Sequence, residues 1–223
     1  MSKSEWLVCV DNAIAERNLL KHPFYQDWQA GTLDRKRLRL YAAQYYWHVE
    51  AFPGYLKMLA ERADGPLREI VLDNLAEEED RTAPHPKLWR DFATAVGVSE
   101  EVLWTSAPLA GVQALLATYR KLCLERPVEE AVAALYAYEA QVPEISTTKR
   151  EGLRHYYNVT SAKGLAYFEV HEEADRIHRA AWRSWLEERS AATAVDEDGL
   201  LATVRMALDA LWDALDAVQQ EPC

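Results

Sequence analysis

The sequence predicts an all-α bundle of seven or more helices, and three observations carry that prediction. Only 8 of the 223 residues are glycine. Ala, Leu, Glu and Arg dominate, and all four are good helix formers. No run alternates apolar and polar positions with Val, Ile and Thr between turn residues, so strand signals are almost absent.

The elements follow in order from caps, breakers and periodicity. Ser4 can cap a first helix over roughly residues 5–20. "HPFYQDWQAG" reads as a short helix that starts at Pro23 and is stopped by Gly31. Thr32 is the expected cap of a long helix, "LDRKRLRLYAAQYYWHVEAFPGYLKMLAERA", kinked or broken near Pro53. "GPLREIVLDNLAEEED" follows, then "PKLWRDFATAVG", which ends at Gly97. Further helices are expected over roughly 108–125, 128–142, 144–156, 161–189 and 197–219. No repeat, low-complexity tract or linker divides the chain, and "EERSAATAVDEDG" reads as a connection only. A single domain over residues 1–223 is therefore expected.

Composition narrows the class of function. Hydrophobic residues make up 49% and charged residues 27%, which is globular composition. A net charge of −11 argues against nucleic acid or an anionic membrane as partner, because neutralising phosphates takes clustered Lys and Arg. Cys9, Cys123 and Cys223 are odd in number and lack a CxxC spacing, which suits a reducing cytoplasm rather than a disulfide framework. The opening "MSKSEWLVCVDNAIAERNLL" is interrupted by Asp11, Asn12 and Glu16. Neither a signal peptide nor a membrane span is expected there.

The most informative stretch is "YFEVHEEADRIHRAAW". The chain has 6 histidines, and two of them stand here with an aspartate between. At 100° per residue, Asp175 lies about 40° from His171 and His178 about 20° to the other side, so the three share one narrow helical stripe. Either a polar surface stripe with i,i+4 pairing or an inward face onto a metal satisfies this pattern. Glu78 and His85 are seven residues apart in "NLAEEEDRTAPHPKLW", where Pro84 and Pro86 interrupt the helix and place His85 at the start of the next. Glu139 sits in "AVAALYAYEAQVPEI", a helix of Ala, Val, Leu and Tyr in which a carboxylate is either buried with a partner or on an exposed edge. Together these are three carboxylates and three imidazoles with no thiolate, a donor set that suits iron or manganese. Carboxylate-bridged di-metal proteins build such sites on facing helices of a bundle. The Glu-x-x-His spacing of ferritin-like proteins is absent.

On these residues the chain resembles the heme-oxygenase-like di-metal oxidases, and within them the group of the Chlamydia protein associating with death domains. The resemblance spans nearly all of the chain, through "HPFYQDWQAGTL", "LYAAQYYWHVEAFPGYL", "LDNLAEEEDRTAPHPKLW", "ALYAYEAQVPEI" and "YFEVHEEADRIH". The last three carry the group's Glu-x6-His, Glu and His-x3-Asp-x2-His pattern. The resemblance implies a heme-oxygenase-like (TenA/PqqC-like) bundle without heme, holding two irons or an iron–manganese pair on Glu78, His85, Glu139, His171, Asp175 and His178. It implies formation of para-aminobenzoate for folate synthesis from dioxygen and an external reductant, by a self-sacrificing route. In that route Tyr25 matches the tyrosine that supplies the ring and Lys149 the lysine implicated as amino donor. Tyr138 and Tyr167 match further site tyrosines. Residue by residue, each tyrosine is also compatible with core packing around a bonded hydroxyl, and Lys149, beside Arg150, is by default a surface charge. A cytoplasmic homodimer is the expected state. Competing readings are a di-iron oxidase acting on an external fatty or amino acid, a metal-free catalyst of the pyrroloquinoline-quinone-synthase or thiaminase type, and an interaction protein.

Overall fold

The computed structural model describes residues 5–192 and 196–222. Among them are eleven α-helices, one 3₁₀ turn and no strand. The expected cap at Ser4 lies outside the described residues. The first helix, α1 (Glu5–Glu16), stops short of residue 20. Asn18 turns its side chain onto the Leu20 N–H at 2.9 Å and starts a 3₁₀ turn over Leu19–Lys21 instead. His22 Nδ1 then accepts from Phe24 N at 3.0 Å and caps α2 (Pro23–Ala30). Gly31, at φ 70°, ends that helix in the left-handed region.

The long helix α3 (Arg35–Ala60) is capped by Asp34 rather than Thr32. Asp34 Oδ1 accepts from Lys36 N and Arg37 N, each at 2.8 Å. The Thr32 hydroxyl is instead engaged by Asp27 at 3.1 Å. Pro53, buried, does not break α3, and the packing of this long helix against α4, α5 and α7 holds it despite the missing N–H. Next come α4 (Gly65–Glu78) and α5 (His85–Ala95). The turn between them is braced by Asp80 Oδ1, which accepts from Thr82 N at 2.7 Å and Ala83 N at 3.0 Å. A short α6 (Glu100–Thr105), capped by Ser99, was not anticipated. The remaining helices are α7 (Ala110–Glu125), α8 (Val128–Glu139), α9 (Val142–Tyr156), α10 (Ala162–Ala192) and α11 (Glu197–Gln220).

Three long helices organise the packing. α3 lies against α4, α5 and α7, α10 lies against α4, α5, α8 and α9, and α11 covers α1, α7 and α8. Side-chain amides and indoles lock these contacts. Gln44 on α3 donates to Ala107 O at 3.1 Å and accepts from Leu109 N at 2.7 Å, which fixes the start of α7. Trp89 on α5 donates to Ala42 O on α3 at 2.8 Å. The effect is to bring α4, α5, α8 and α10 around one point in the interior.

The approach of α7 to α11 depends on one missing side chain. A Cβ at Gly111 would lie 2.7 Å from Asp213 O and 2.8 Å from the Cβ of Ala217. Gly111→Ala gains up to about 1 kcal/mol of helix propensity. It must also push two helix backbones apart, and such overpacking costs about 1–3 kcal/mol. The variant should therefore be less stable, with a lower urea midpoint at unchanged slope.

Candidate metal centre

The α10 stripe faces inward. His171, Asp175 and His178 are all buried, so the inward reading is the one the fold adopts. Glu78 at the end of α4, His85 at the start of α5 and Glu139 at the end of α8 are buried with them. Seven residues of sequence separate Glu78 from His85, but the proline-bounded turn folds them together, and His85 Nδ1 lies 3.0 Å from Glu78 Oε1. Two groups result. Glu78, His85 and His171 each offer a donor atom within 4.8 Å of the other two, and so do Glu139, Asp175 and His178.

Hydrogen bonds orient the donors. A carbonyl can only accept, so the 2.7 Å contact of His171 Nδ1 with Tyr167 O puts the proton on Nδ1 and leaves Nε2 with a free lone pair. Tyr167 also stacks on the His171 ring at 4.0 Å. Glu139 accepts from Asn74 Nδ2 at 2.9 Å and from Trp182 Nε1 at 2.6 Å, each bond leaving a carboxylate lone pair unused.

What the residues lack is equally informative. Asp175 Oδ2, His85 Nδ1 and His178 Nε2 are buried without a hydrogen-bond partner. The 3.0 Å approach of His85 to Glu78 and the 3.3 Å approach of His178 Nε2 to Glu77 lack hydrogen-bond geometry. Burial pushes the Glu139 carboxyl up to about 7. It pushes Asp175 well above the usual carboxylate range and holds His171 well below the usual imidazole range. Buried polar groups normally find partners, and leaving one unpaired costs about 1–3 kcal/mol. Two divalent cations would supply those partners, and a neutral-imidazole and carboxylate donor set fits iron. The residues present therefore fit a di-metal group.

Between the two groups lies a cavity of about 10 Å³, lined by Val49, Phe52, Glu78, Tyr138, Tyr167, His171 and Asp175. That is room for one water-sized molecule. Beyond it the space is filled by phenols. Tyr45 Oη donates to Tyr138 Oη at 3.2 Å, and Tyr45 stacks on Tyr41 with ring centroids 5.3 Å apart. Tyr41 Oη meets Tyr25 Oη at 3.2 Å. Tyr25 is fully buried but not at the cavity wall, and it connects to the cavity through Tyr41, Tyr45 and Tyr138.

Lys149 is the main correction to the default sequence reading. It is buried, not a surface charge, and its Nζ donates to Tyr41 Oη at 2.6 Å. Its Nζ also lies 5.4 Å from the centre of the Tyr25 ring. Aromatic faces on several sides favour the ammonium, yet burial dominates and brings the amine down to about 7.

Tyr41, Tyr45, His48, Asn74 and Trp182 escaped the sequence reading. A signal existed for each. Tyr41, Tyr45, His48, Phe52 and Tyr55 recur at helical spacing along α3, Asn74 stands four residues before Glu78, and Trp182 four after His178. His48 is fully buried with both ring nitrogens unpartnered, and burial lowers it to about 3, so it is a neutral ring packed edge-on to Tyr138.

Comparison with known proteins bears on the chain as a whole. Residues 39–212 match a family described as iron-containing redox enzymes. A 4-aminobenzoate synthase of Chlamydia pneumoniae is 38% identical, over 99% of this chain and 98% of its own. A 4-aminobenzoate synthase of Nitrosomonas europaea is 37% identical, over 96% and 91%. A TenA homolog from Pseudomonas syringae superposes with a TM-score of 0.84 at 18% identity, over 99% of this chain and 96% of that one. The last shows the fold alone, and it is the TenA-like bundle expected from sequence.

Two measurements test the site. His171→Ala should lose much of at least one bound ion after loading with Fe(II), or Fe(II) plus Mn(II), read by elemental analysis. Unchanged content would remove the site. The second reads the burial of Lys149. The unfolded amine holds its proton to about 10.5 and the folded one to about 7. Between those values the unfolded chain binds the extra proton, so this residue's contribution to stability rises with pH. Lys149→Met should therefore stabilise most below pH 7, and its advantage should shrink toward pH 10 in denaturant titrations.

Proposed function

The chain belongs to the family of iron-containing redox enzymes built on the heme-oxygenase-like bundle, and we propose that within it the protein is an oxygen-dependent 4-aminobenzoate synthase. In this reading the aromatic ring comes from its own Tyr25 and the nitrogen from Lys149. Glu78, His85 and His171 hold one metal ion, Glu139, Asp175 and His178 the other, as an iron pair or iron with manganese. Reduced metal ions, supplied with electrons from outside the protein, provide the dioxygen activation that no side chain performs.

The chain's own residues do the rest. Tyr138 and Tyr167 line the cavity together with Glu78, His171 and Asp175. Tyr45 and Tyr41 continue the line of phenols to Tyr25, hydroxyl to hydroxyl at its two ends. Tyr41 holds both reactive partners, since it accepts from Lys149 Nζ and pairs with Tyr25 Oη. Near neutral pH a large part of Lys149 is the free amine, the form with a lone pair to give. Burial of Tyr25, Tyr41 and Lys149 keeps water away from them.

The observation that carries this reading is the filling of the site. Next to the metal-binding groups there is room for one water-sized molecule and none for an organic substrate, and beyond it a line of the chain's own phenols leads to Tyr25 and Lys149. The 4-aminobenzoate synthases among the relatives support the product.

Tyr25→Phe should keep the fold and the metals, because it removes one hydroxyl worth about 0.5–1.5 kcal/mol when bonded. It should nevertheless abolish para-aminobenzoate formation. Protein made with ring-labelled tyrosine, loaded with iron and exposed to oxygen and reductant, should release labelled product at no more than about one equivalent per chain. Many turnovers giving unlabelled product from an added small molecule would transfer the chemistry to an external substrate.

A further inference from the structure

A metal group this deeply buried needs a way in. A surface cleft of about 530 Å³ opens between α3, α4 and the turn before α5, lined among others by Glu50, Pro53, Gly54, Glu78 and Glu79. Glu78 also lines the inner cavity. One carboxylate therefore stands between solvent and the metal-binding groups, and its side chain retains 8% exposure. The same stretch of α3 forms the wall on both sides, with Val49 and Phe52 toward the cavity and Glu50, Pro53 and Gly54 toward the cleft.

Gly54 is the unusual member of that wall. Glycine weakens a helix interior, yet a Cβ placed here would meet nothing within 4 Å. Packing does not require a glycine. What its missing side chain leaves is open space at the mouth of the cleft. Carboxylates mark the way inward, and the three cations that line the same cleft, Lys57, Lys87 and Arg90, are each paired with a carboxylate. Glu79, paired with Lys57 at 2.6 Å, and Glu50, 3.9 Å from Arg90, stand at the half-exposed rim. Glu78 follows, and behind it lies the unpartnered Oδ2 of Asp175 on the cavity wall. Successive oxygen donors suit the stepwise dehydration of a divalent cation. Glu77, half-exposed and 3.3 Å from His178, offers the competing approach to the other metal group.

We propose that the Gly54 cleft is the port through which divalent metal ions reach both groups, with Gly54 keeping it open and Glu78 receiving the ion from the rim. This rests on the metal reading above. The port is tested by the rate of metal uptake in the metal-free full-length chain, with Co(II) as probe, followed by absorbance and by final metal content. Gly54→Ala, whose methyl has room, should load at the wild-type rate. Gly54→Trp should load about tenfold more slowly, a barrier increment of about 1.4 kcal/mol, and reach the same final occupancy. A reversible version uses Gly54→Cys carrying a bulky methanethiosulfonate label: loading should slow, recover after phosphine reduction, and be unaffected in wild type treated identically. Wild-type loading rates in both the Gly54→Trp and labelled Gly54→Cys proteins, or a lower plateau in place of slower uptake, would overturn the port and leave the Glu77 side as the route. If wild-type protein takes up no cobalt at all, the metal reading itself falls.

Discussion

Six ionisable side chains meet in the interior of this bundle, and the rest of the structure is arranged around the cost of keeping them there. Desolvation alone pushes Asp175 and Glu139 toward the protonated form and His171 toward the neutral one. A buried charge survives only with a partner. Part of the partnership is built into the chain, as Asn74 and Trp182 brace Glu139 and the Tyr167 carbonyl orients His171. The part that is missing, at Asp175 Oδ2, His85 Nδ1 and His178 Nε2, is what a pair of cations would supply. The helices that converge here do so by packing elsewhere. α10 is held along α9 and α5, and α5 is tied to α3 through Trp89.

A second constraint acts on the other side of the cavity. Tyr25, Tyr41, Tyr138 and Tyr167 are buried, and with the partly buried Tyr45 they fill the interior beyond the cavity. Burial holds Tyr25 and Tyr41 well above the usual phenol range, so they stay protonated. The same burial acts oppositely on Lys149 and frees its lone pair. One dry environment thus prepares a neutral phenol and a neutral amine side by side. Under the proposed function, that is a physical reason for an otherwise costly lysine in the core.

Rigidity and access are divided between the ends of α4. Upstream, Leu67, Val71 and Asn74 pack its inner face into the core. Downstream, the helix ends at Glu78 and the proline-bounded turn leaves a cleft over that carboxylate. The metal-binding groups are therefore fixed on helices, while the approach to them runs along a turn.

The sequence by itself determined the helices, because capping residues, glycines and 3.6-residue periodicity are local properties that need no partner. It also determined that His171, Asp175 and His178 share a face, since i, i+4 and i+7 positions coincide on any α-helix. Local cues misled where a neighbour competed. Asp34 outbid Thr32 as a cap because Asp27 engages the Thr32 hydroxyl. α3 runs through Pro53 because its packing against α4, α5 and α7 compensates for the lost hydrogen bond. Which way the α10 stripe points, that Glu139 and Glu78 are buried rather than solvated, and that Lys149 is an interior amine were decided only by tertiary structure. Burial is a property of the whole chain, and the chemistry of a carboxylate or an amine here is set by whether water can reach it.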